Sequence, residues 1–489
     1  MPGSGKTLTI TEKVKYLVEQ EHVSPNQILL IAFTKKAAEE MTVRNPYVKA
    51  CTFHSLGLEI LLNVKERRIK VMECLNEVVS KYAKENKKMI QETFTQYDIS
   101  LTLHEFVEIS KSFITLLKTN QCSFDSISPS SQQELQLLKM IQNIHVQYEE
   151  ILRKENAIDF HDMITLATDY IKKYNLNLQY RYIIIDEFQD ISDARYQLIK
   201  AICENAKAKL FCVGDDWQSI YGFSGSDIDL FYHFEKYFGK TQMIKLENTY
   251  RNSQELINIA STFIQKNPHQ IKKILYSNNH IKNPIIAFSY QYEPTFALIG
   301  VIEDIFQKFG EEAEILLLGR TKYDLGDYLS PVLFYFPHSS KVVYQKYPKM
   351  KIKFLTVHEA KGLEAENVIL LNLKDSKLGF PTKIKIESIL FHVSKNSDYY
   401  DYAEERRLFY VCLTRTKNRV YLLVPHQKYS IFFQELKEIA NIKVIPAIER
   451  QKLEEIPVCP HCKKTHLIIK DCDGIKYWEC PECQFGLNE

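Results

Sequence analysis

The sequence predicts an α/β protein with two parallel-sheet domains. Three observations carry the prediction: short β-branched runs recurring along the chain, longer helical patterns between them, and a glycine-rich loop leading straight into one of those helices. The runs are Ile28–Phe33, Tyr182–Ile185, Leu210–Val213, Ile315–Leu318, Phe354–Val357, Val368–Leu371 and Val420–Val424. Unbroken apolar runs fit strands covered on both faces, and strand–helix alternation is the pattern of parallel sheet with crossover helices.

Length and composition bound the rest. At 489 residues the chain is too long for one ordinary core, since domains usually hold about 100 to 200 residues. Hydrophobic residues at 45% and charged residues at 25% exclude disordered and fibrous classes. Net charge is only +2, so a polyanionic partner has to be met by local basic grooves. No apolar stretch approaches the roughly 18 residues of a membrane span, and the N-terminus lacks a signal pattern. The expectation is a cytoplasmic protein with no membrane partner. Of eleven cysteines, seven are scattered singly, Cys51, Cys203 and Cys212 among them, as expected of small buried hydrophobes in a reducing compartment.

Taken in order, residues 1–69 and 157–245 read as the first α/β domain, beginning with a helical pattern from Leu8 to Gln20. Residues 70–156 lose the strand signal and read as a helical insertion within it. One helix there is well marked: Ser131 and Glu134 have capping-box spacing, and Leu135, Leu138, Ile141, Tyr148, Ile151 and Leu152 follow at helical spacing. Residues 246–448 form the second α/β domain, and 450–489 a short tail of separate character.

The chain opens Gly3-Ser4-Gly5-Lys6-Thr7, the second half of a phosphate-binding loop. Backbone N–H groups there wrap a phosphate, the helix N-terminus adds favourable dipole, Lys6 supplies a point charge, and the Thr7 hydroxyl can ligate Mg²⁺. A plain surface turn is the alternative for so short a string. The full pattern places another glycine five positions before Gly5, with a strand ahead of it. Only Met1 and Pro2 precede Gly3, so the expectation is that this strand is absent and that stability and turnover suffer. Farther along, Tyr182–Ile185 runs into Asp186-Glu187-Phe188-Gln189-Asp190. A buried strand ending in carboxylates sets them at the carboxyl edge of a sheet, where open α/β folds bind ligands. Asp186 would hold Mg²⁺ and Glu187 would polarise an attacking water; an acidic helix start is the alternative.

Val213-Gly-Asp-Asp-Trp-Gln-Ser-Ile-Tyr-Gly-Phe-Ser-Gly225 follows, and Asp186–Asp190 and this string, in that order after Gly3–Thr7, resemble motifs II and III of UvrD/Rep-type superfamily 1 helicases. Ile31–Met41 resembles motif Ia, Thr52-Phe-His-Ser55 motif Ib, Asn248-Thr-Tyr-Arg251 motif IV, Thr356–Glu364 motif V and Glu404–Arg415 motif VI. The resemblance covers residues 1 to about 425 and implies two RecA-like motor domains. It implies that Gly3, Ser4, Gly5, Lys6, Thr7, Asp186 and Glu187 form a Mg-ATP site, with Gln218 sensing the γ-phosphate. Arg251 and Arg415 resemble the arginines that reach ATP from the second domain, Tyr250 the adenine-stacking tyrosine, and Glu364 a carboxylate near the ribose. For DNA it implies contacts from Phe53, His54, Tyr221 and Phe223, where aromatic rings stack bases at about 1 to 3 kcal/mol each without sequence preference. Phe223 and Ser224 stand where Trp-Arg is common, and core packing is the alternative for each ring.

Lys341, Lys346, Lys349, Lys351 and Lys353, interleaved with Tyr344 and Tyr347, form the most basic stretch of the second domain. It reads either as a phosphate contact or as a strand edge guarded by lysines. Roughly thirty-five residues separate Arg320 from motif V, where larger relatives insert a helical subdomain, so the resemblance implies a compact form. In the tail, Cys459-Pro-His-Cys462 and Cys480-Pro-Glu-Cys483 are seventeen residues apart, with strand-like Thr465–Lys470 and Ile475–Trp478 between. This is the spacing of a four-thiolate zinc ribbon, with Cys472 and His461 as bystanders. From Arg450 to Glu489 there are six basic and seven acidic residues, so charge does not mark the ribbon as a DNA grip. Tyr477 and Trp478 leave base stacking open, and a structural or accessory-protein docking role is equally compatible.

The combined expectation is an ATP-dependent helicase or translocase using ATP, Mg²⁺ and Zn²⁺ on single-stranded or partly duplex DNA. The resemblance implies 3′-to-5′ travel, driven by ATP bound between the motor domains. The alternative is an ATPase-silent DNA-binding or scaffold protein.

Overall fold

Five successive residues, Ile28–Ala32, are all buried, so this strand must be covered on both faces. Odd and even positions serve different cores. Ile28, Leu30 and Ala32 pack with Ile10, Val14 and Leu17, whereas Leu29 and Ile31 pack with Phe53, Leu56, Ile164 and Ile199. This is the period-two alternation of a strand with apolar residues on each side.

The computed structural model describes residues 3–64, 69–174, 176–383, 388–395 and 400–447, with 459, 462, 468–472, 475–480 and 483 in the tail. It forms two compact units: Gly5–Ile244 with Lys385–Tyr399, and Met1–Ser4 with Lys245–Ile384 and Tyr400–Glu489. Among the described residues, no helix is long and apolar enough to cross a membrane.

In the first of these units, α1 (Lys6–Glu19), β1 (Ile28–Ala32), α2 (Lys35–Arg44), β2 (Cys51–Thr52) and α3 (Phe53–Val64) come first. The helices α4 (Leu75–Glu85), α5 (Lys87–Gln96), α6 (Leu103–Thr119) and α7 (Gln132–Lys154) form the helical block around one apolar cluster. Its entry and exit pair with each other: β3 (Lys70–Val71) lies parallel to β4 (Ala157–Ile158). Thereafter come α8 (Phe160–Tyr174), β5 (Tyr182–Ile185), α9 (Asp193–Ala206) and β6 (Lys209–Cys212). The sheet runs β2-β1-β5-β6, parallel throughout.

The expected capping box at Ser131 is only half formed. Ser131 accepts from the Glu134 N–H at 3.2 Å, but the Glu134 carboxylate accepts from Ser130 at 2.7 Å and meets His392 at 3.2 Å. The complete reciprocal box is at Thr102 and Glu105, where α6 starts. His392 belongs to a stretch from late in the chain that packs on this helical block. A short helix, Ser388–Phe391, buries Ile389 there with Val393, and Asn120 Nδ2 donates to the Val393 carbonyl at 2.8 Å. No local pattern foreshadows that contact, because both partners are short apolar or polar residues with nothing periodic about them.

The second unit holds α10 (Gln254–Ile264), β7 (Ile285–Tyr290), α11 (Pro294–Phe309), β8 (Glu314–Gly319), β9 (Leu333–Phe336), β10 (Lys341–Tyr344), β11 (Lys351–Thr356), β12 (Ala365–Leu370), α12 (Ala403–Leu413), β13 (Thr416–Pro425), α13 (Ile431–Ile439) and β14 (Lys443–Pro446). Its sheet runs β14-β7-β13-β12-β8-β11-β10-β9. Pairing is parallel as far as β11, and antiparallel for β10 and β9. The mixed edge arises because β9, β10 and β11 are joined by short turns, too short for the crossover that parallel pairing needs.

The lysine-rich stretch runs through β10, the turn after it and β11, and both strands lie inside the sheet, so the reading as a guarded edge does not hold. Lys346 pairs with Glu303 at 2.8 Å, Lys349 with Glu311 at 3.4 Å and Lys351 with Glu312 at 3.2 Å. Tyr347 stacks on Phe306 with centroids 3.7 Å apart. Those three charges are already met by carboxylates of this unit, which weighs against a phosphate track.

Candidate nucleotide and nucleic-acid sites

Gly5 caps α1 at φ +80°, a left-handed conformation that glycine adopts without strain. A Cβ there would meet open space apart from Leu8 at 4.0 Å, so backbone conformation is what calls for glycine. At Gly3 the reason is different: with φ +67°, an added Cβ would stand 2.6 Å from the Arg251 Cβ. Lys6 and Thr7 then fall in the first turn of α1, Thr7 half-buried.

At the carboxyl end of β5, Asp186 is buried and its N–H donates to the Ile31 carbonyl at 3.0 Å. Glu187 follows at φ +48°, a strained conformation for a side-chain-bearing residue and one that recurs at functional turns. The Lys6 ammonium lies 3.1 and 3.2 Å from the two Glu187 oxygens. Burial alone would lower the Lys6 pKa, but the Glu187, Asp215 and Asp186 charges outweigh it and the pKa is raised. Burial, and then the Glu187 charge, pushes Asp186 up to about 6. Gln189 joins the acidic turn to the next loop: its Nε2 donates to Glu187, and its Oε1 accepts from the Asp215 N–H at 2.8 Å. Gln218, in turn, donates to Asp215. Gln189 and Asp215 stand inside the strings singled out in the sequence, yet spacing gave no reason to assign them to the site.

In the other unit, Tyr250, Arg251 and Glu364 line a cleft of about 700 Å³ together with Gly3, Asn279 and Lys417. Tyr250 is 75% exposed, so its ring is free to stack on a planar ligand. Arg251 forks onto Glu364, with Nε at 2.9 Å and Nη2 at 2.8 Å. Lys417 takes the other carboxylate oxygen at 2.9 Å, and it, followed by Arg251, holds the Glu364 carboxyl below its ordinary range. Arg415 is fully buried, with Nε donating to the Val411 carbonyl at 3.2 Å and Nη1 to that of Leu363 at 3.3 Å. Arg406, from the same string, is structural: it forks onto Glu435 at 2.7 and 2.9 Å.

The predicted base-stacking residues separate in the structure. Phe53 is 3% exposed and belongs to the core, so core packing, the alternative left open for it, is what the structure shows. His54 is half-buried, edge-on to Phe160, and burial followed by the Arg195 charge pushes its pKa down to about 4. Tyr221 stacks on Phe33 with centroids 5.7 Å apart and planes 10° apart. Phe223 follows at 6.1 Å and is exposed. Gly225 closes this turn at φ +91°, where a Cβ would stand 2.5 Å from Thr119 Cγ2, so only glycine lets the turn rest on the end of α6. Phe33 is the residue missed here; it lies within the Ile31–Met41 string, but its partnership with Tyr221 is made across the fold.

The model of the UvrD/REP helicase N-terminal domain matches residues 1–239, and that of the UvrD-like helicase C-terminal domain matches residues 338–427. The chain belongs to the UvrD/Rep helicase family. Members of this family are ATP-hydrolysing enzymes. Among relatives, DNA helicase IV of Escherichia coli is 29% identical over 475 residues, spanning 89% of this chain and 67% of the relative. ATP-dependent DNA helicase Rep of Buchnera aphidicola is 25% identical over 504 residues, 97% of this chain and 71% of the relative. A probable DNA helicase II homolog of Mycoplasma capricolum is 29% identical over 295 residues, 57% of this chain and 40% of the relative.

This UvrD/Rep-family chain also carries a candidate metal centre. The Sγ atoms of Cys459, Cys462, Cys480 and Cys483 all lie within 4.8 Å of one another. Cys459 and Cys483 are 3.5 Å apart, and Cys462 and Cys480 3.7 Å. Those separations are far beyond a disulfide bond and match the edge of a tetrahedron with Zn–S near 2.3 Å, roughly 3.8 Å. The Cys462 and Cys483 N–H groups point at the Cys459 and Cys480 sulfurs, 3.5 and 3.4 Å away, as expected if thiolates are to be stabilised. The four cysteines therefore fit Zn²⁺. A hairpin of β15 (Ile468–Cys472) and β16 (Ile475–Glu479) lies between the pairs. The side chains of Tyr477 and Trp478, together with His461 and Thr465, lie outside the described residues.

On β9 the alternation again divides two cores: Leu333 and Tyr335 face the main cluster, whereas Phe334 and Phe336 pack with Cys459 and Cys480. Cys480→Ser is accordingly expected to release about one Zn²⁺ per chain and to lower the melting temperature, because structural zinc supplies folding free energy directly. Metal content by atomic emission and a thermal melt of the same sample check this; an unchanged metal content would count against the site.

Proposed function

We propose that this chain is an ATP-driven motor on single-stranded DNA that travels 3′ to 5′ and separates strands. The observation that carries the reading is the Lys6–Glu187–Asp186 cluster at the carboxyl edge of the first sheet, in the same unit as the half-buried Tyr221 and the exposed Phe223 beside it. Residues 1–69 with 157–245, 70–156, 246–448 and 450–489 would serve as first motor domain, insertion, second motor domain and zinc ribbon.

On this reading the triphosphate takes Lys6 away from Glu187, and the freed carboxylate orients the attacking water and accepts its proton. Thr7 and Asp186 would hold Mg²⁺, which supplies positive charge to the phosphate oxygens when bound. Gln218 and Gln189 keep Asp215 and Glu187 aligned. Arg251 and Arg415 are proposed to meet the charge that develops on the same triphosphate, since phosphoryl transfer is catalysed chiefly by positioning and electrostatics. Tyr250 would stack the base, with Glu364 near the ribose. Tyr221 and Phe223 would stack successive bases, which suits movement along any sequence.

The test is ATP hydrolysis with and without oligo-dT, followed by unwinding of duplexes carrying either a 3′ or a 5′ single-stranded tail. The motor reading expects stimulation by oligo-dT and unwinding only from the 3′ tail. Phe223→Ala should raise the oligo-dT concentration needed for half-maximal stimulation by about 5- to 150-fold, the equivalent of one stacked base. Hydrolysis indifferent to DNA would sink the reading.

A further inference from the structure

We infer that Arg195 is a positioning residue that holds the aromatic face for single-stranded DNA and ties it to the acidic turn of the nucleotide site. The inference rests on the proposed DNA-motor reading and names a residue that the reading does not use.

Arg195 sits in the first turn of α9, two residues after its start. A cation is unfavourable there, because the helix dipole places partial positive charge at that end. Nor is the charge well paired. Among the described residues its Nη1 reaches only the Asp190 carbonyl, at 3.4 Å, and its Nε is buried without a hydrogen-bond partner. An arginine kept under those conditions is costly to the fold, and a local gain has to offset it.

Its surroundings identify the gain. The guanidinium carbon lies 4.5 Å from the centroid of the Phe33 ring and 5.6 Å from that of Phe53, both within cation–π range. Phe33 is the ring on which Tyr221 stacks. One planar cation thus fixes the ring that fixes the DNA-facing tyrosine. The polar end leads the other way. The Asp190 carbonyl that accepts from Arg195 also accepts from Ser226 Oγ at 2.9 Å, and Ser226 follows Gly225 at the end of the aromatic turn. The Asp190 carboxylate accepts from Gln189, whose same amide nitrogen donates to Glu187. From Glu187 to Tyr221 there is a continuous series of hydrogen bonds and ring contacts inside one unit, with Arg195 at its junction. Rings held in place before binding lose less freedom when bases stack on them, so the arrangement favours affinity through pre-organisation.

The competing role is a direct phosphate contact, and salt dependence separates the two. Each phosphate neutralised on a single strand contributes about −0.7 to the slope of log affinity against log salt, whereas a buried positioning cation contributes nothing. The experiment is fluorescence anisotropy of labelled oligo-dT with the full chain over a range of KCl, using wild type, Arg195→Met, Arg195→Lys and Phe223→Ala. Arg195→Met is expected to bind about 3- to 30-fold more weakly at every salt concentration, giving a line parallel to wild type. Arg195→Lys, which keeps the charge but not the planar face, should fall between the two. Wild-type affinity in Arg195→Met overturns the inference, as does a slope shallower by about 0.7 in either variant. If Arg195→Met melts early, Arg195→Gln, which removes the charge, takes its place in the same titration: weaker binding with an unchanged slope supports positioning, and wild-type affinity or a slope shallower by about 0.7 rejects it. Should Phe223→Ala weaken binding while both Arg195 variants match wild type, only the role of Arg195 falls. If wild type itself does not bind oligo-dT, the motor reading falls with it.

Discussion

Arg251→Ala is expected to lower ATP turnover on the order of 10³-fold, the smaller end of the effect of a catalytic arginine on phosphoryl transfer. The guanidinium is held ready by a two-point contact with Glu364 and lines the cleft beside Tyr250. A lysine could replace the charge but not the fork, so Arg251→Lys should recover only a small part of the loss. The rival view is that Arg251 serves only its ion pair, with Glu364 half-exposed at 42%. An exposed pair of that kind contributes roughly 0 to 1 kcal/mol. Breaking it from the other side with Glu364→Gln should then reproduce the Arg251→Ala defect, both being small. Steady-state hydrolysis of the three variants at saturating oligo-dT decides the matter. Equal and minor losses in Arg251→Ala and Glu364→Gln would remove Arg251 from the chemistry.

Glu187→Gln should cut hydrolysis by about 10² to 10⁴, the usual contribution of a positioned proton acceptor. The amide keeps the size of the side chain and its capacity to accept from Gln189, but it cannot take a proton from water. Nucleotide binding should survive, because Lys6 loses a competitor for phosphate when the 3.1 Å ion pair is removed. The expected signature is therefore a lower kcat with unchanged or tighter ATP binding, measured by single-turnover hydrolysis beside equilibrium titration with a fluorescent ATP analogue. A variant that bound ATP poorly and hydrolysed what it bound at the normal rate would mean that Glu187 is a structural partner of Lys6 and nothing more.

How much of this was legible depended on whether the cause lay within a few residues of the effect. The buried strands Ile28–Ala32 and Tyr182–Ile185 announced themselves as unbroken apolar runs, because covering a strand on both faces removes the need for polar positions. The four cysteines were equally plain, since each CxxC pair supplies two ligands from one turn. By contrast β7, Ile285–Tyr290, gives a weaker signal although it is paired on both sides in the second sheet, because Ala287 and Ser289 dilute a six-residue run. The reversal at β9 and β10 leaves no mark in their residues either: pairing direction is set by the connection between strands, not by the residues in them.

The sequence by itself determined the family's motifs, the acidic turn after β5, the glycines of the turn before α1 and the paired cysteines of the tail. Each of these needs particular residue types at fixed short spacing, and spacing survives in one dimension. Only the tertiary structure decided that Phe53 turns into the core while Phe33 supports Tyr221, that Arg195 lies against Phe33, and that Val393 closes on Asn120. Those outcomes depend on which surfaces meet after the chain has folded, and burial is settled by distant neighbours that no local pattern encodes.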